Sequence, residues 1–508
     1  MSIYHISILF IKKVYNMKRK LSILLAISLV FLTAASCGES EGEETTAVAD
    51  GSDTTAGEET SSEIAIYEST TDEERAALGL DGYEFNVMIR DASLDWSTAD
   101  LISDGENGEV LNDAVYRRNL YLEDLFGFTI RADDSEGTEL SEMTTLILSG
   151  DTTYDVFFPM GRTAGSAATQ GLLYDLYELD YLDFDNSCWN DMIIDALEIG
   201  GKLYYAAGSI STNAFDAVET YFFNKTITED LNLENPYALV KDGSWTLDKF
   251  NEMVHAAAAD LNGDTIMDTN DRFGYFWQDA MGGLAFYYGS GESLTQKNAD
   301  GIPELSIGSE RSIEVYDKIS DMISDKTAYG LDITFGGDYN LVMQMFYENK
   351  SLFMSEVVDV AKRLRPYEVD FGIIPTPKFD ENQEDYIQYV NGWCLSPVVI
   401  PVNSTNPERT SFFVEALAEA SERFLTESYY ETVLTEKALR DEESVEMLEI
   451  VVNNFTIEAC DMYQWGALEN LVREGMRDGT ELATILAANT SAIEAAMEKT
   501  IETIESEA

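Results

Sequence analysis

The chain has very few histidines and cysteines. Its 508 residues include 2 histidines, His5 and His255, and 4 cysteines. Because His5 lies in a predicted leader, a two-histidine zinc motif is excluded and a histidine-based catalytic triad would depend on His255 alone. His255 lies beside the apolar face of a predicted helix, where we expect a structural role. Cys188, Cys394 and Cys460 are widely spaced, so neither a disulfide framework nor a zinc site is indicated.

Basic residues are also scarce, because 32 lysines and arginines face 94 aspartates and glutamates, a formal charge of −62. This charge would repel nucleic acid and anionic membrane surfaces, which are therefore poor partners. The acidic residues are spread along the whole chain, which favours a role in solubility. With 45% hydrophobic residues and 27 tyrosines, the chain can form two substantial lobes.

No long hydrophobic run is present near the start of the chain. Residues 1–36 carry five basic residues and no acidic one, and the apolar run from Leu21 to Ala35 is shorter than the ~20 residues that span a bilayer. This pattern predicts a signal peptide over residues 1–36, with translation starting at either Met1 or Met17. Small residues precede Cys37, and this ending resembles the lipobox of bacterial lipoproteins, although a plain secreted form is the alternative.

The resemblance to a lipobox implies that Cys37 carries lipid and anchors the chain to the membrane. Residues 38–64 consist mostly of Glu, Gly, Thr, Ala, Ser and Asp, a composition that cannot form a core. We therefore expect residues 37–75 to contain the lipid-anchor cysteine and a disordered linker. Such a tether would hold a folded body at the membrane while leaving it free to reorient.

An acidic loop follows a predicted helix in the middle of the chain. Thr246 can cap this helix, which we predict from Leu247 to Ala259 because apolar residues recur every three or four positions. The loop then places oxygen ligands at the six offsets by which one loop surrounds a calcium ion. These are Asp260, Asn262, Asp264, Ile266, Asp268 and Asp271.

Two features depart from the calcium pattern. Thr265 stands where a sharp turn prefers glycine, and Asp271 closes the loop where glutamate chelates more easily. The alternative is two successive polar turns, since Asn, Gly and Asp favour turns. The sequence thus predicts one structural Ca²⁺ site, because no second loop of this kind is present to form a sensor pair.

The stretch from Leu239 to Tyr275 resembles the signature region of bacterial extracellular solute-binding proteins of ABC importers, in the carbohydrate-type family 1. The likeness extends over nearly all of the chain after Tyr67. It includes the stretches Ile199 to Ser209, Phe222 to Lys225, Asp370 to Phe379, Asn406 to Thr410 and Arg440 to Ser444. The resemblance implies a non-enzymatic receptor at the extracellular face of the membrane. Its expected partners are a saccharide, more specifically an oligosaccharide, and the importer's transmembrane subunits.

Strand and helix patterns alternate from Tyr83 onward. Tyr83 to Ile89 and Asp155 to Phe158 are predicted strands, and Gly108 to Phe126 has helical spacing. Repeated β-α-β units predict an α/β class with doubly wound sheets, which take ligands at the loops beyond the carboxyl ends of the strands. Those loops are Asp91 to Trp96 and Met160 to Gly165.

Two small-residue segments, Gly208 to Ser211 and Asn391 to Ser396, are predicted to cross between the lobes. The resemblance implies a two-lobed periplasmic-binding-protein-like fold, a hinge between the lobes and a helical C-terminal part. The predicted domains are 76–213 with 392–508 as lobe 1 and 214–391 as lobe 2, which contains the calcium-like loop. Rotation at the two crossings would close the cleft on a ligand.

Saccharide recognition requires exposed aromatic faces together with carboxylates, amides and arginine side chains. We chose candidates that follow predicted strands or lie near the crossings. The ligand-binding candidates are Trp96, Arg162, Asp216, Trp277, Glu356, Asp359, Trp393 and Trp465. For each single residue, a structural or solvated role is the alternative.

Two other classes of function are compatible with the sequence. A secreted carbohydrate-active enzyme needs only two carboxylates with opposed pKa values, and 94 acidic residues offer no distinct pair. A surface adhesion protein could use the same tether. Saccharide affinity without hydrolysis would separate a receptor from an enzyme, and dependence on importer subunits would separate it from an adhesion protein.

Overall fold

The computed structural model describes residues 63–90, 100–135, 139–280, 282–426, 428–429, 439 and 441–506. The predicted signal peptide, Cys37, most of the linker and the loop that carries Trp96 lie outside the described residues. Within the described part, no helix is both long and apolar enough to cross a membrane.

The described part combines many helices with short strands. The strands are β1 Glu84–Ile89, β2 Thr129–Asp134, β3 Val156–Phe158, β4 Glu219–Asn224, β5 Phe273–Trp277, β6 Thr295–Lys297, β7 Pro303–Leu305, β8 Tyr329–Leu331, β9 Ser351–Val357, β10 Phe371–Ile374, β11 Gln388–Tyr389 and β12 Phe455–Thr456.

The helices are numbered in chain order. They are α1 Ala65–Ser69, α2 Asp72–Leu78, α3 Val110–Phe126, α4 Glu139–Ser149, α5 Gly161–Ala168, α6 Asp191–Leu197, α7 Asn213–Asp216, α8 Lys225–Asp230, α9 Pro236–Asp242, α10 Leu247–Ala257, α11 Gly282–Gly289, α12 Glu310–Ile323, α13 Asn340–Tyr347, α14 Val360–Arg363, α15 Pro407–Ser421, α16 Glu442–Asn453, α17 Ala459–Tyr463, α18 Leu468–Asp478 and α19 Leu482–Ser506.

The first sheet has the order β2-β1-β3, and all three strands are parallel. Helices connect consecutive strands, as expected for β-α-β units. The predicted strands and the helix α3 are confirmed to within a few residues. β3 is a fully buried run of Val156, Phe157 and Phe158, as predicted for a strand covered on both faces.

The second sheet has the order β10-β4-β9-β5-β8. β5 is parallel to β8 and β9, whereas β4 is antiparallel to both of its neighbours. The sheet is therefore mixed, because β4 runs against the other four strands. The chain enters β4 from the edge at which β5, β8 and β9 end, so β4 runs in the opposite direction.

The two predicted crossing segments lie side by side. Ala206 forms a β-bridge with Val398, next to β3, and Val218 forms one with Val390, next to β4. The chain thus passes from the first sheet to the second between residues 206 and 218 and returns between residues 390 and 398. Before the first crossing, Lys202 forms an isolated β-bridge with Ile199. The exact lobe boundaries stay a prediction.

The C-terminal helix α19 packs against the body along an apolar stripe. Leu482, Ile493, Met497 and Ile504 are each at most 5% exposed. Burial of such side chains stabilises the fold by roughly 1.5–3 kcal/mol each. The helix α10 also forms as predicted, and the Thr246 hydroxyl accepts a hydrogen bond from the Lys249 amide at 3.4 Å.

Candidate functional site

The candidate ligand-binding site lies where the strands of the two sheets end. In the first sheet, the carboxyl ends of β1 and β3 lead to Arg90 and to α5. In the second sheet, the carboxyl ends of β5, β8 and β9 share one edge with the start of β4. Ligands of α/β proteins bind at such edges. The two crossing segments connect these edges, so side chains from both sheets can face one ligand.

Trp393 lies in the crossing segment and is 45% exposed. Three main-chain contacts hold it in place. Its carbonyl oxygen accepts a hydrogen bond from Arg90 Nη1 at 2.7 Å, and its amide donates to Asn391 Oδ1 at 2.8 Å. The amide of the preceding Gly392 donates to Asp461 Oδ2 at 2.7 Å. An exposed indole on a fixed backbone can serve as a stacking surface for a saccharide ring.

Arg162, at the start of α5, lies against this tryptophan. Its guanidinium carbon is 4.9 Å from the centroid of the Trp393 ring. Arg162 Nε donates to Asp461 Oδ1 at 2.6 Å, and Nη2 donates to Glu469 Oε1 at 2.8 Å. Burial alone would raise the pKa of Asp461, but Arg162 holds it below its usual value, together with hydrogen bonds that include one from Tyr389.

Asp216 and Asp359 meet at a shared lysine. Lys362 Nζ is 3.0 Å from Asp216 Oδ2 and 2.8 Å from Asp359 Oδ1, and Arg363 Nε is 3.1 Å from Asp359 Oδ2. Tyr429 also donates to Asp216. Burial raises the pKa of Asp216 to about 6, and Lys362 opposes this shift. The structure therefore brings these two sequence-predicted residues together at the second sheet's edge.

Glu219 and Glu356 lie on the neighbouring strands β4 and β9. Both are buried, at 0% and 5% exposure. Burial raises the pKa of Glu219 to about 8 and that of Glu356 to about 7. A carboxyl group with such a pKa is partly protonated near neutral pH and can both donate and accept hydrogen bonds. Glu356 was a sequence candidate, whereas Glu219 was missed.

Other residues at this site were also missed. Asp461 and Glu469 lie on the C-terminal helices α17 and α18, far from Arg162 in sequence. Asp279 follows β5 and forms ion pairs with Arg473 and Arg477 of α18. Only Glu219 carried a usable signal, since this charged residue opens a strand that contains the aromatic run Tyr221 to Phe223. The others lie in helical or loop sequence whose packing partner no local pattern reveals.

Two of the predicted tryptophans, Trp277 and Trp465, are buried. Trp277 is 2% exposed and stacks on Tyr275 at a centroid distance of 5.0 Å. Trp465 is also 2% exposed, donates from Nε1 to Thr500 at 3.0 Å and stacks on Tyr463. Neither indole presents a free face in this conformation. Trp96 lies outside the described residues, so its role stays a prediction.

The predicted calcium loop forms a series of tight turns. Asp260 accepts hydrogen bonds from the amides of Gly263 and Thr265, and Asp271 accepts from those of Leu261 and Asp268. Thr265 has a φ of 69°, the left-handed conformation for which glycine is preferred at this position.

The donor chemistry of this loop fits Ca²⁺, since its side chains offer carboxylate and amide oxygens. No cluster of three or more His, Cys, Asp or Glu side chains within the described residues is arranged to hold a metal ion. The carboxylates are instead turned toward the loop's own amides. Ca²⁺ binding therefore stays a prediction.

A groove of about 690 Å³ lies between the β6–β7 hairpin and α19. Its floor includes Ile302, Leu305 and Met497, and its rim is formed by glutamates. None of the predicted ligand-binding residues lines it. It also contains no aromatic side chain or amide, which saccharide recognition requires. We therefore place the candidate site at the sheet edges.

Comparison with known proteins finds a matching family and similar solved structures. The family of bacterial extracellular solute-binding proteins matches residues 121–426, more than half of the chain. No curated protein matches the chain in sequence. The chain is similar in structure to the ABC substrate-binding protein Lmo0181 from Listeria monocytogenes in complex with cycloalternan, with a TM-score of 0.53 and 14% identity over 84% of this chain and 100% of that chain.

Two further solved structures share the fold. The GacH receptor of Streptomyces glaucescens GLA.O, solved unliganded and with acarbose, has a TM-score of 0.52 and 16% identity, covering 82% of this chain and 97% of that chain. UgpB from Mycobacterium tuberculosis in complex with glycerophosphocholine has a TM-score of 0.53 and 13% identity, covering 76% and 95%. These likenesses show the two-lobed binding-protein fold. The family match over more than half of the chain shows that the chain belongs to the bacterial extracellular solute-binding proteins.

Proposed function

We propose that this protein captures a saccharide, and specifically an oligosaccharide, between its two lobes and delivers it to the transmembrane subunits of an ABC importer. The observation that carries the proposal is Trp393, a 45% exposed indole held on the segment that crosses between the sheets. Aromatic faces bind the apolar side of a pyranose ring. The solved structures with cycloalternan and acarbose support a saccharide.

The surrounding polar groups suit neutral hydroxyls. The carboxylates of Asp216 and Asp359 already pair with Lys362, and Asp461 pairs with Arg162, so these charges are largely balanced. Carboxylates that are already paired do not need a charged ligand. Ligand hydroxyls can add hydrogen bonds to the network that these pairs form and be oriented by it. Glycerophosphocholine, bound by UgpB, is the alternative ligand class to be tested.

We propose further that the protein is not an enzyme. A glycosidase needs two carboxyl groups that reach opposite sides of the scissile bond. Glu219 and Glu356 have raised pKa values, but Glu219 is 0% exposed. In the antiparallel pairing of β4 and β9, Glu219 is opposite Val357 and Glu356 is opposite Thr220. The side chains of Glu219 and Glu356 therefore project from opposite faces of the sheet.

The proposal is tested by a thermal-shift and calorimetric screen over maltose, maltotetraose, a cyclodextrin, acarbose and glycerophosphocholine. A bound ligand stabilises the native state by mass action. We expect an oligosaccharide to bind, Trp393→Ala to weaken its binding at least about tenfold, and no hydrolysis to occur. Binding of glycerophosphocholine alone, or full affinity in Trp393→Ala, would contradict the proposed ligand class or site.

We also propose that Cys37 carries lipid and that the loop 260–271 binds one Ca²⁺. The small residues before Cys37 support the first proposal. The oxygen spacing and the left-handed Thr265 support the second, in which Asp260, Asp264, Asp268 and Asp271 would supply carboxylate ligands. A bound ion would contribute structural stabilisation of this loop, with no part in chemistry.

A further inference from the structure

We propose that Arg162, held by Asp461 and Glu469, is a positioning residue that fixes the Trp393 indole for ligand stacking. This inference rests on the proposed saccharide binding. Sequence alone suggests a direct ligand contact for Arg162, and neither Asp461 nor Glu469 was a candidate. The assignment follows from the hydrogen bonds that these three side chains form.

Two nitrogens of the Arg162 guanidinium, Nε and Nη2, are bound to protein carboxylates. Nε donates to Asp461 Oδ1 at 2.6 Å, and Nη2 donates to both carboxylate oxygens of Glu469, at 2.8 and 2.9 Å. The side chain is only 10% exposed. Little of the side-chain surface therefore remains for a ligand, and the guanidinium instead lies over the Trp393 ring, with its carbon 4.9 Å from the ring centroid.

Asp461 holds the tryptophan from a second direction. Its Oδ2 accepts hydrogen bonds from the Gly392 amide at 2.7 Å and from the Tyr389 hydroxyl. A Cβ atom added at Gly392 would lie 2.6 Å from this oxygen, so only glycine allows so close an approach. One carboxylate thus fixes both the backbone beside Trp393 and the arginine that stacks on its ring.

The arrangement predicts that the contributions of Arg162 and Trp393 to ligand affinity are coupled. A rigid indole loses little conformational freedom when a ring stacks on it, which improves affinity by preorganisation. Lysine at position 162 would keep the positive charge for Asp461 and Glu469, but its ammonium cannot stack as a planar group. Arg162→Lys is therefore the variant that keeps the positive charge and removes the planar guanidinium.

The experiment has a ligand-free arm and a binding arm. Acrylamide quenching of Trp393, isolated as the difference between each protein and its Trp393→Phe counterpart, should increase in Arg162→Lys. With the saccharide found in the screen, Arg162→Lys should raise Kd about fivefold in the otherwise unchanged protein but not in Trp393→Ala. Arg311→Lys, which removes an arginine stacked 3.7 Å from Phe379 outside the site, should change neither quantity.

The outcomes separate this inference from the proposed function. An equal loss of affinity with and without Trp393 would show that Arg162 contacts the ligand directly and would overturn the inference. Unchanged quenching in Arg162→Lys would overturn it without any ligand. If no saccharide binds, the proposed function fails, and the quenching arm alone still decides whether Arg162 positions Trp393. Asp461→Asn, which keeps acceptors for Gly392 and Tyr389, should increase quenching in the same way.

Discussion

Asn391 donates a hydrogen bond from Nδ2 to Glu219 Oε1 at 3.0 Å, and this bond joins the two segments that cross between the sheets. The Asn391 amide also donates to the Ala217 carbonyl at 3.1 Å. Glu219 Oε2 has no hydrogen-bond partner within the described part of the chain. A buried carboxyl with one unsatisfied oxygen is favoured in its protonated form. The protonation of Glu219 therefore makes the stability of the native state depend on pH.

We expect the native state to become less stable as the pH rises. Burial raises the pKa of Glu219 from 4.5 to about 8, so between these values the native state holds a proton that the unfolded state releases. Stability therefore falls with increasing pH across this window. Glu356, with a pKa raised by burial to about 7, acts in the same direction.

Melting temperatures measured between pH 5 and pH 8.5 would show this decrease. Glu219→Gln keeps an acceptor for Asn391 but does not titrate, so its melting temperature should fall less steeply. Glu304→Gln, at an exposed position, serves as the charge-matched control. A slope in Glu219→Gln as steep as in the unchanged protein would contradict this account of the crossing.

Ligand binding should close the cleft. The two crossing segments contact each other through Asn213, which donates to the Cys394 carbonyl at 2.8 Å, and hinges absorb rotation at a few such residues. Small-angle scattering should give a smaller radius of gyration at ligand saturation. An unchanged radius would mean that the ligand does not contact both lobes, since only such contacts favour the closed state.

Calcium should stabilise the protein through the loop 260–271. We expect the melting temperature to rise by a few degrees with Ca²⁺ relative to chelator, because the ion binds the native loop only. Asp260→Asn should remove most of this rise, whereas Asp300→Asn, in an exposed turn, should not. If chelator has no effect and no metal copurifies, the loop is a pair of polar turns.

Lipid attachment at Cys37 should be visible in the mass of the mature N-terminus. We expect a diacylated cysteine and retention of the protein in the membrane fraction. Cys37→Ser should release the protein while leaving its melting temperature unchanged, because Cys37 precedes the described body. An unmodified N-terminus at another residue would contradict lipid anchoring and favour the secreted form.

The sequence by itself determined the local structure and the class of protein. Alternating and helical spacing located β1, α3 and α10, because burial of one face imposes these periods on neighbouring residues. β3 was located as a continuous apolar run, which burial of both faces imposes. The stretch from Leu239 to Tyr275 indicated the solute-binding family, which the family match confirms. Trp393 was a ligand-binding candidate because it lies in a predicted crossing, and its ligand contact stays a prediction.

Only the tertiary structure decided which side chains meet. Arg162 and Asp461 are 299 residues apart in the chain, and no periodic pattern encodes a contact of that kind. The direction of β4 was likewise fixed by the edge at which the chain enters the second sheet. The packing of distant elements, which local sequence does not show, buried Trp277 and Trp465. Local patterns report which face of an element is buried, but the partner across that face depends on how distant elements pack together.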